Sequence, residues 1–220
     1  MIPLRDENPT RTFPFVTIAL IIMNGIVFAY EIFLPPHLRE GFFQSFALIP
    51  DNLIHYSLET GHAGLPNILT LLTSTFLHGG LLHIIGNMLF LWIFGNNIED
   101  AFGHFPFIIF YFVSAVAAGF TQALMNPSST IPVIGASGAV AGVLGAYILL
   151  YPQARIITLF WILFFIRIIR VPAVIFLGIW FFLQIMYAGV VGGSIAWYAH
   201  IGGFLAGLVM AVPLSFKRKR

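Results

Sequence analysis

Six stretches of this chain are apolar over close to the length needed to cross about 30 Å of hydrocarbon: residues 15–33, 82–97, 105–124, 135–151, 171–190 and 197–214. In lipid every backbone N–H and C=O must find its partner inside the protein, so runs of this kind fold as helices. Hydrophobic residues make up 59% of the 220 and charged residues only 8%, with a mean hydropathy of +0.95, which excludes an ordinary soluble domain. The expected fold is all-α: one polytopic domain over residues 1–220, six transmembrane helices, and a long outer loop, about 34–76, carrying short interfacial helices. A further apolar piece, 156–166, is too short to cross and runs into Arg167 and Arg170. It is expected to lie at the interface or to extend the fifth helix. No internal repeat or low-complexity segment breaks the chain.

With six spans both termini share a side. Placing them inside puts Arg5, Arg11, Arg155, Arg167, Arg170 and the tail residues Lys217, Arg218, Lys219 and Arg220 in the cytoplasm, leaving Arg39 outside. That is a strong positive-inside bias. Residues 1–14 form the cytoplasmic N-terminal segment. The first apolar run is read as a retained span because no small-residue cleavage site follows it. The formal charge of +2 is too small for a nucleic-acid binder, so the basic tail, 215–220, reads as a topology signal. A compact chain of this kind points to the plasma (inner) membrane of a bacterium. The chain has no cysteine, which leaves serine, histidine and carboxylate chemistry.

Polar side chains inside spans are costly and therefore mark function. In this topology the second, fourth and sixth helices enter from outside. Each carries polar residues near that end: His83 and Asn87, then Ser137, then His200. Fifteen residues at 1.5 Å each, roughly 22 Å, separate each of these positions from the inner end of its run, so all lie at one depth below the outer surface. Gly138 with Gly142, and Gly203 with Gly207, are GxxxG pairs on the fourth and sixth helices, and small faces of this kind let backbones approach closely. Ser137 and His200 can then meet as nucleophile and base. The acidic residues are read as confined to loops, terminal segments and the cytoplasmic end of the second helix. No carboxylate is expected at His200, and the catalytic unit is a dyad.

The tetrahedral intermediate of such a reaction needs donors for its oxyanion. Ser137 opens a helix after a glycine-rich turn, so its own N–H is one candidate, with the Asn87 amide and the His83 ring N–H as others. The outer loops 132–138 and 189–194 are expected to line a water-filled cavity. His78 and His83 are five residues apart, about 140° from sharing a helical face, and HExxH is missing, so neither a metal nor another cofactor is expected. His37, His55 and His62 read as solvated loop residues, and Tyr151, Trp197 and Tyr198 as an interfacial belt.

At these positions the sequence resembles the rhomboid family of intramembrane serine proteases. The likeness lies in His78-Gly79 through His83 to Asn87-Met88, in Gly135-Ala136-Ser137-Gly138, and in Ala199-His200-Ile201-Gly202-Gly203 with Gly207. It implies Ser137 as nucleophile, His200 as base, His83 and Asn87 at the oxyanion hole, and His78 and Gly135 in support. It also implies substrates that are single-span membrane proteins, admitted laterally between the second and fifth helices and cut near the outer face. The Phe94, Gly95, Glu99, Gly103 run resembles a structural element of the same family. Two features depart from the pattern of some members: Ala141 stands where a tyrosine packs on the catalytic histidine, and the first outer loop has no Trp-Arg pair. The alternative reading is a catalytically silent relative that binds transmembrane clients. A transporter is disfavoured because no span offers a carboxylate or lysine for ion coupling.

Overall fold

The computed structural model describes residues 1–61, 64–162, 165–188 and 195–218. In chain order the elements are β1 (Ile2–Asp6), α1 (Phe15–Phe33), α2 (Pro36–Phe46), α3 (Pro50–His55), α4 (Thr70–Thr73), α5 (Leu81–Phe102), α6 (His104–Met125), α7 (Ser137–Leu150), β2 (Arg155–Ile162), β3 (Phe165–Pro172), α8 (Ala173–Ala188) and α9 (Trp197–Arg218). Among the described residues α1, α5, α6 and α9 are long and apolar enough to cross a membrane, and α7 and α8 are shorter apolar helices. The molecule is thus a mostly helical, multi-pass membrane protein.

The helix α7 is the axis of the bundle. Every residue from Gly138 to Tyr147 is buried, as an apolar helix without a polar face must be. Its fourteen residues reach only about 21 Å, less than the hydrocarbon thickness. Against α7 packs α9, through glycines so close that side chains have no room. A Cβ on Gly203 would lie 2.0 Å from the Gly138 carbonyl oxygen, and one on Gly207 would lie 1.9 Å from that of Gly142. Gly145 closes the seam from the α7 side, 2.0 Å from the Phe204 oxygen by the same construction.

The Glu99 carboxylate is fully buried and caps the start of α1. It accepts from the Val16 N–H at 2.9 Å, the Thr17 N–H at 2.8 Å and the Thr17 hydroxyl at 2.7 Å, and it pairs with His104. Orphan donors of a helix start are satisfied by a negative charge placed where the helix dipole favours it. Gly95 lets α1 approach α5 here, since a Cβ would meet Thr17 at 3.1 Å.

Three expectations are corrected. The fold is not purely α, because β1, β2 and β3 form an antiparallel sheet in that order. The piece 156–166 does not extend the fifth helix: it is most of a hairpin, with Arg155 opposite Pro172 and Ile162 opposite Phe165. Its β-branched and aromatic residues suit a pleated ladder, and Pro172 ends the strand so that α8 begins only at Ala173. Residues 1–14 contribute the edge strand β1, where Pro3 is tolerated although it has no backbone N–H to give. Asp6, at the end of β1, accepts from the Tyr147 hydroxyl at 2.6 Å and the Asn97 amide at 3.0 Å and docks the sheet on α5 and α7. Burial pushes its carboxyl above the ordinary range against those hydrogen bonds, so this docking is strongest below the unfolded carboxyl's pKa and weakens as pH rises through the folded one. Third, Glu31 is not in a loop. It is buried within α1, where its carboxylate accepts from the His78 N–H at 3.2 Å.

The glycine seam makes a quantitative demand. Gly207→Val should lower stability by about 3 kcal/mol or more, because the obstacle is backbone. Gly178→Ala in α8, with nothing within 4 Å of the new methyl, should match wild type or gain up to about 1 kcal/mol. Thermal unfolding midpoints in detergent read both, and equal midpoints for the two variants would contradict the seam.

Candidate active site

The loop before α7 is held from the outer connection. Val133 and Leu48 exchange backbone hydrogen bonds at 2.7 and 3.1 Å, and the Gly135 N–H donates to the Ser74 carbonyl at 2.9 Å. These pairings anchor the outer loop in the absence of a Trp-Arg pair. Gly135 then turns with φ +115°, a left-handed conformation that only glycine adopts without strain. The turn delivers Ser137 to the first position of α7, where its N–H has no intrahelical acceptor.

Ser137 and His200 meet. The Ser137 hydroxyl lies 2.9 Å from His200 Nε2, and His200 Nδ1 lies 2.8 Å from Gln184 Oε1 on α8. No Asp or Glu is among the partners of His200 in the described residues; the partner of its Nδ1 is Gln184, a residue the sequence analysis did not single out. The ring of His200 is flanked by Trp180, with centroids 5.9 Å apart, and meets Trp197 edge-on at 6.1 Å. Trp180 therefore covers the ring although position 141 is alanine. Trp197 is part of the site as well, beyond any role in an interfacial belt. The start of α9 is fixed by the Ala199 N–H, which donates to Gln122 Oε1 at 3.2 Å.

The second polar group comes from α5 and the turn before it. Asn87 Nδ2 lies 3.0 Å from His78 Nε2, and His78 Nδ1 faces the Phe76 carbonyl at 3.3 Å. A carbonyl only accepts, so His78 carries its proton on Nδ1 and takes one amide hydrogen of Asn87 on Nε2, leaving the other amide hydrogen for the site. His78 is 2% exposed, and it braces Asn87 rather than facing the cavity. The Gly79 N–H points at His83 Nδ1 at 3.4 Å, which leaves the proton of a neutral His83 on Nε2. A Cβ on Gly135 would lie 2.7 Å from that Nε2 and 3.4 Å from Asn87 Nδ2. Both donors thus converge on the turn two residues before Ser137.

These groups line a cavity of about 1010 Å³ bounded by Gly79–His83, Gly86 and Asn87 on one side, by Pro132–Ile134 above Ser137, and by Trp180, Gln184, Ile195–Trp197 and His200 on the other. The expected contribution of 132–138 is present through Pro132–Ile134 and Ser137, whereas 189–194 lies outside the described residues, as does His62. His37 and His55 are exposed and away from the site. Among the described residues no three His, Asp or Glu side chains are grouped as a metal would require. Gln184, Trp180 and Trp197 escaped the sequence reading. The available signal was a lone glutamine in an otherwise apolar run, one helical turn after Trp180.

The rhomboid domain model matches residues 66–217. The chain is 27% identical to "Rhomboid-like protease 3" of Toxoplasma gondii over 138 residues, covering 63% of this chain and 48% of that protein. It is 31% identical to "Rhomboid protein 1, mitochondrial" of Saccharomyces cerevisiae over 157 residues, covering 67% and 42%. Identity to "Rhomboid-like protein 11, chloroplastic" of Arabidopsis thaliana is 32% over 126 residues, covering 57% and 42%. The chain spans less than half the length of these curated relatives. The matched segment holds α5 to α8, all of α9 but its last residue, and every residue of the Ser137 cavity, and the chain belongs to the rhomboid family.

Proposed function

We propose that this chain is a serine endopeptidase that cuts the membrane-spanning segments of single-span proteins within the bilayer. The observation that carries the reading is the 2.9 Å approach of Ser137 Oγ to His200 Nε2 at the wall of a large cavity. A serine hydroxyl buried for packing alone would need no base and no recess.

In the reaction, His200 Nε2 takes the Ser137 proton as Oγ attacks the scissile carbonyl carbon, and the imidazolium returns that proton to the departing amine. The oxyanion accepts from the Ser137 N–H and from Asn87 and His83, fixed in advance by His78 and Gly79; each such donor is worth about 3–4 kcal/mol in the transition state. A water then attacks the acyl ester with His200 again as base.

Substrate enters between α5 and α8. Their inner halves touch through Phe90 and Phe176, with ring centroids 6.4 Å apart, while their outer halves diverge around the cavity. The topology has six spans, α1, α5, α6, α7, α8 and α9. Arg5, Arg155, Arg167 and Arg170 all lie on the sheet that follows the C-terminal end of α7, opposite Ser137. Positive residues remain cytoplasmic, so both termini are inside and the cavity opens on the extracytoplasmic side of the cell membrane.

Two outcomes are expected with a single-span substrate co-reconstituted in liposomes and resolved by gel. Ser137→Ala and His200→Ala should each reduce cleavage on the order of 10⁴-fold or more, and Asn87→Ala by about 10²–10³-fold. Undiminished cleavage by Ser137→Ala would refute the assignment. Gly135→Ala places a methyl against His83 in a left-handed turn, costing about 1–3 kcal/mol of strain. It should lose cleavage, whereas Gly80→Ala, extended and unobstructed, should retain its fold, with an unfolding midpoint near wild type.

A further inference from the structure

Gln184 makes two hydrogen bonds that together determine where the proton on His200 sits. Its Nε2 donates to the Trp180 carbonyl, one turn back on α8, at 3.0 Å. A backbone carbonyl cannot donate, so the NH₂ end of the amide must face it and Oε1 must face outward. Oε1 lies 2.8 Å from His200 Nδ1 and has no proton to give, so Nδ1 supplies the hydrogen of that bond. Neutral imidazole carries one N–H, and Nε2 is left with its lone pair directed at the Ser137 hydroxyl 2.9 Å away. With the other tautomer an N–H would face Oγ, and the pair would be unable to begin the reaction. Gln184 is buried, so water does not compete for these bonds.

We propose that Gln184 is a positioning residue that sets the tautomer and ring orientation of His200, and that its place on α8 ties the competence of the base to the seating of that helix. The inference rests on the protease reading above. In the transfer step the Oγ–H bond breaks and the Nε2–H bond forms, while Nδ1 keeps its proton and its bond to Oε1 shortens as the ring becomes cationic. The part that a carboxylate plays in a triad is taken by a neutral amide. An amide orients the ring without adding a charge that the apolar surroundings of α8 would penalise. Displacing α8 outward would break the bond to Oε1 while leaving Ser137 and His200 in place, because those two are held by the α7–α9 seam.

The test uses the full chain in liposomes. Gln184→Leu keeps the volume and removes the acceptor; kcat should fall on the order of 10²-fold with KM within about threefold. Gln184→Glu restores an acceptor and adds a charge, so it should recover most of that loss and move the acid limb of the pH–kcat/KM profile up by about one unit or more. Leu at wild-type kcat, or Glu with an unmoved acid limb, would overturn the proposal. A second readout needs no activity: with ¹⁵N-labelled histidine, and His200→Asn to assign the signals, His200 should show a protonated Nδ1 and a bare Nε2 in wild type and a tautomer mixture in Gln184→Leu. A wild-type His200 protonated on Nε2 would overturn it, even if the chain cleaves. Failure of wild type to cleave with the tautomer as stated would fault the protease reading and leave the positioning role standing.

Discussion

The close approach of α7 and α9 is the contact on which the rest of the structure depends. In a bilayer the lipid tails are as apolar as leucine, so helices gain little by burying apolar surface and associate through van der Waals fit and polar contacts. Glycine supplies that fit here. The carbonyl oxygens of Gly138 and Gly142 occupy the space that side chains at Gly203 and Gly207 would fill, which fixes both the separation and the register of the two helices. Ser137 sits immediately before the first of these contacts and His200 one turn before its partner. The register that seats the glycines therefore brings Oγ to Nε2.

Around that seam the carboxylates and the His78–Asn87 pair are hydrogen-bonded, as buried polar groups must be where water is scarce, whereas Asn24 Oδ1, the Tyr111 hydroxyl and Trp197 Nε1 are buried without a partner among the described residues. Glu99 closes the start of α1 at one end of the bundle. At the other end, Glu31 receives the His78 N–H, His78 holds Asn87, and Gly79 holds His83. The outer connection adds backbone pairings from Leu48 to Val133 and from Ser74 to the turn at Gly135. Asn87 and His83 are thus held by hydrogen bonds already in place, which is the condition for an electrostatic site to act without reorganising during the reaction. The side facing α8 is different in kind: a single amide and two indoles surround His200, and the helix that carries Gln184 and Trp180 meets α5 through Phe176 near its start.

Much of this arrangement could be read from the amino-acid sequence, and the reasons are physical. Polar residues stand out against apolar spans, so Ser137, His200, His83 and Asn87 were conspicuous, and GxxxG spacing marked which helices would meet. The structure adds a reason for His78, which acts through Asn87. What escaped notice had no periodic signature or was masked by a local rule. A hydrophobic run of 156–166 in a membrane protein suggests lipid, yet its β-branched and aromatic residues also suit a strand, and here they enter a hairpin that the distant N-terminus completes; pairing across such a separation leaves no local trace. Glu31 lies near the end of an apolar run, where a charge suggests a loop, and the partner that keeps it buried is 47 positions away. Gln184 follows Trp180 by one turn, but only the fold shows that its free oxygen points at His200.

If Ser137 is made nucleophilic by His200 within a frame set by the glycine seam, as proposed, covalent capture reads it without the need for a substrate. Intact-mass and peptide-mapping spectrometry after exposure to a fluorophosphonate should find one adduct, on Ser137, whose rate of formation collapses in His200→Ala while the fold persists. Adduct formation at an unchanged rate without His200, or its appearance on another serine, would contradict the claim.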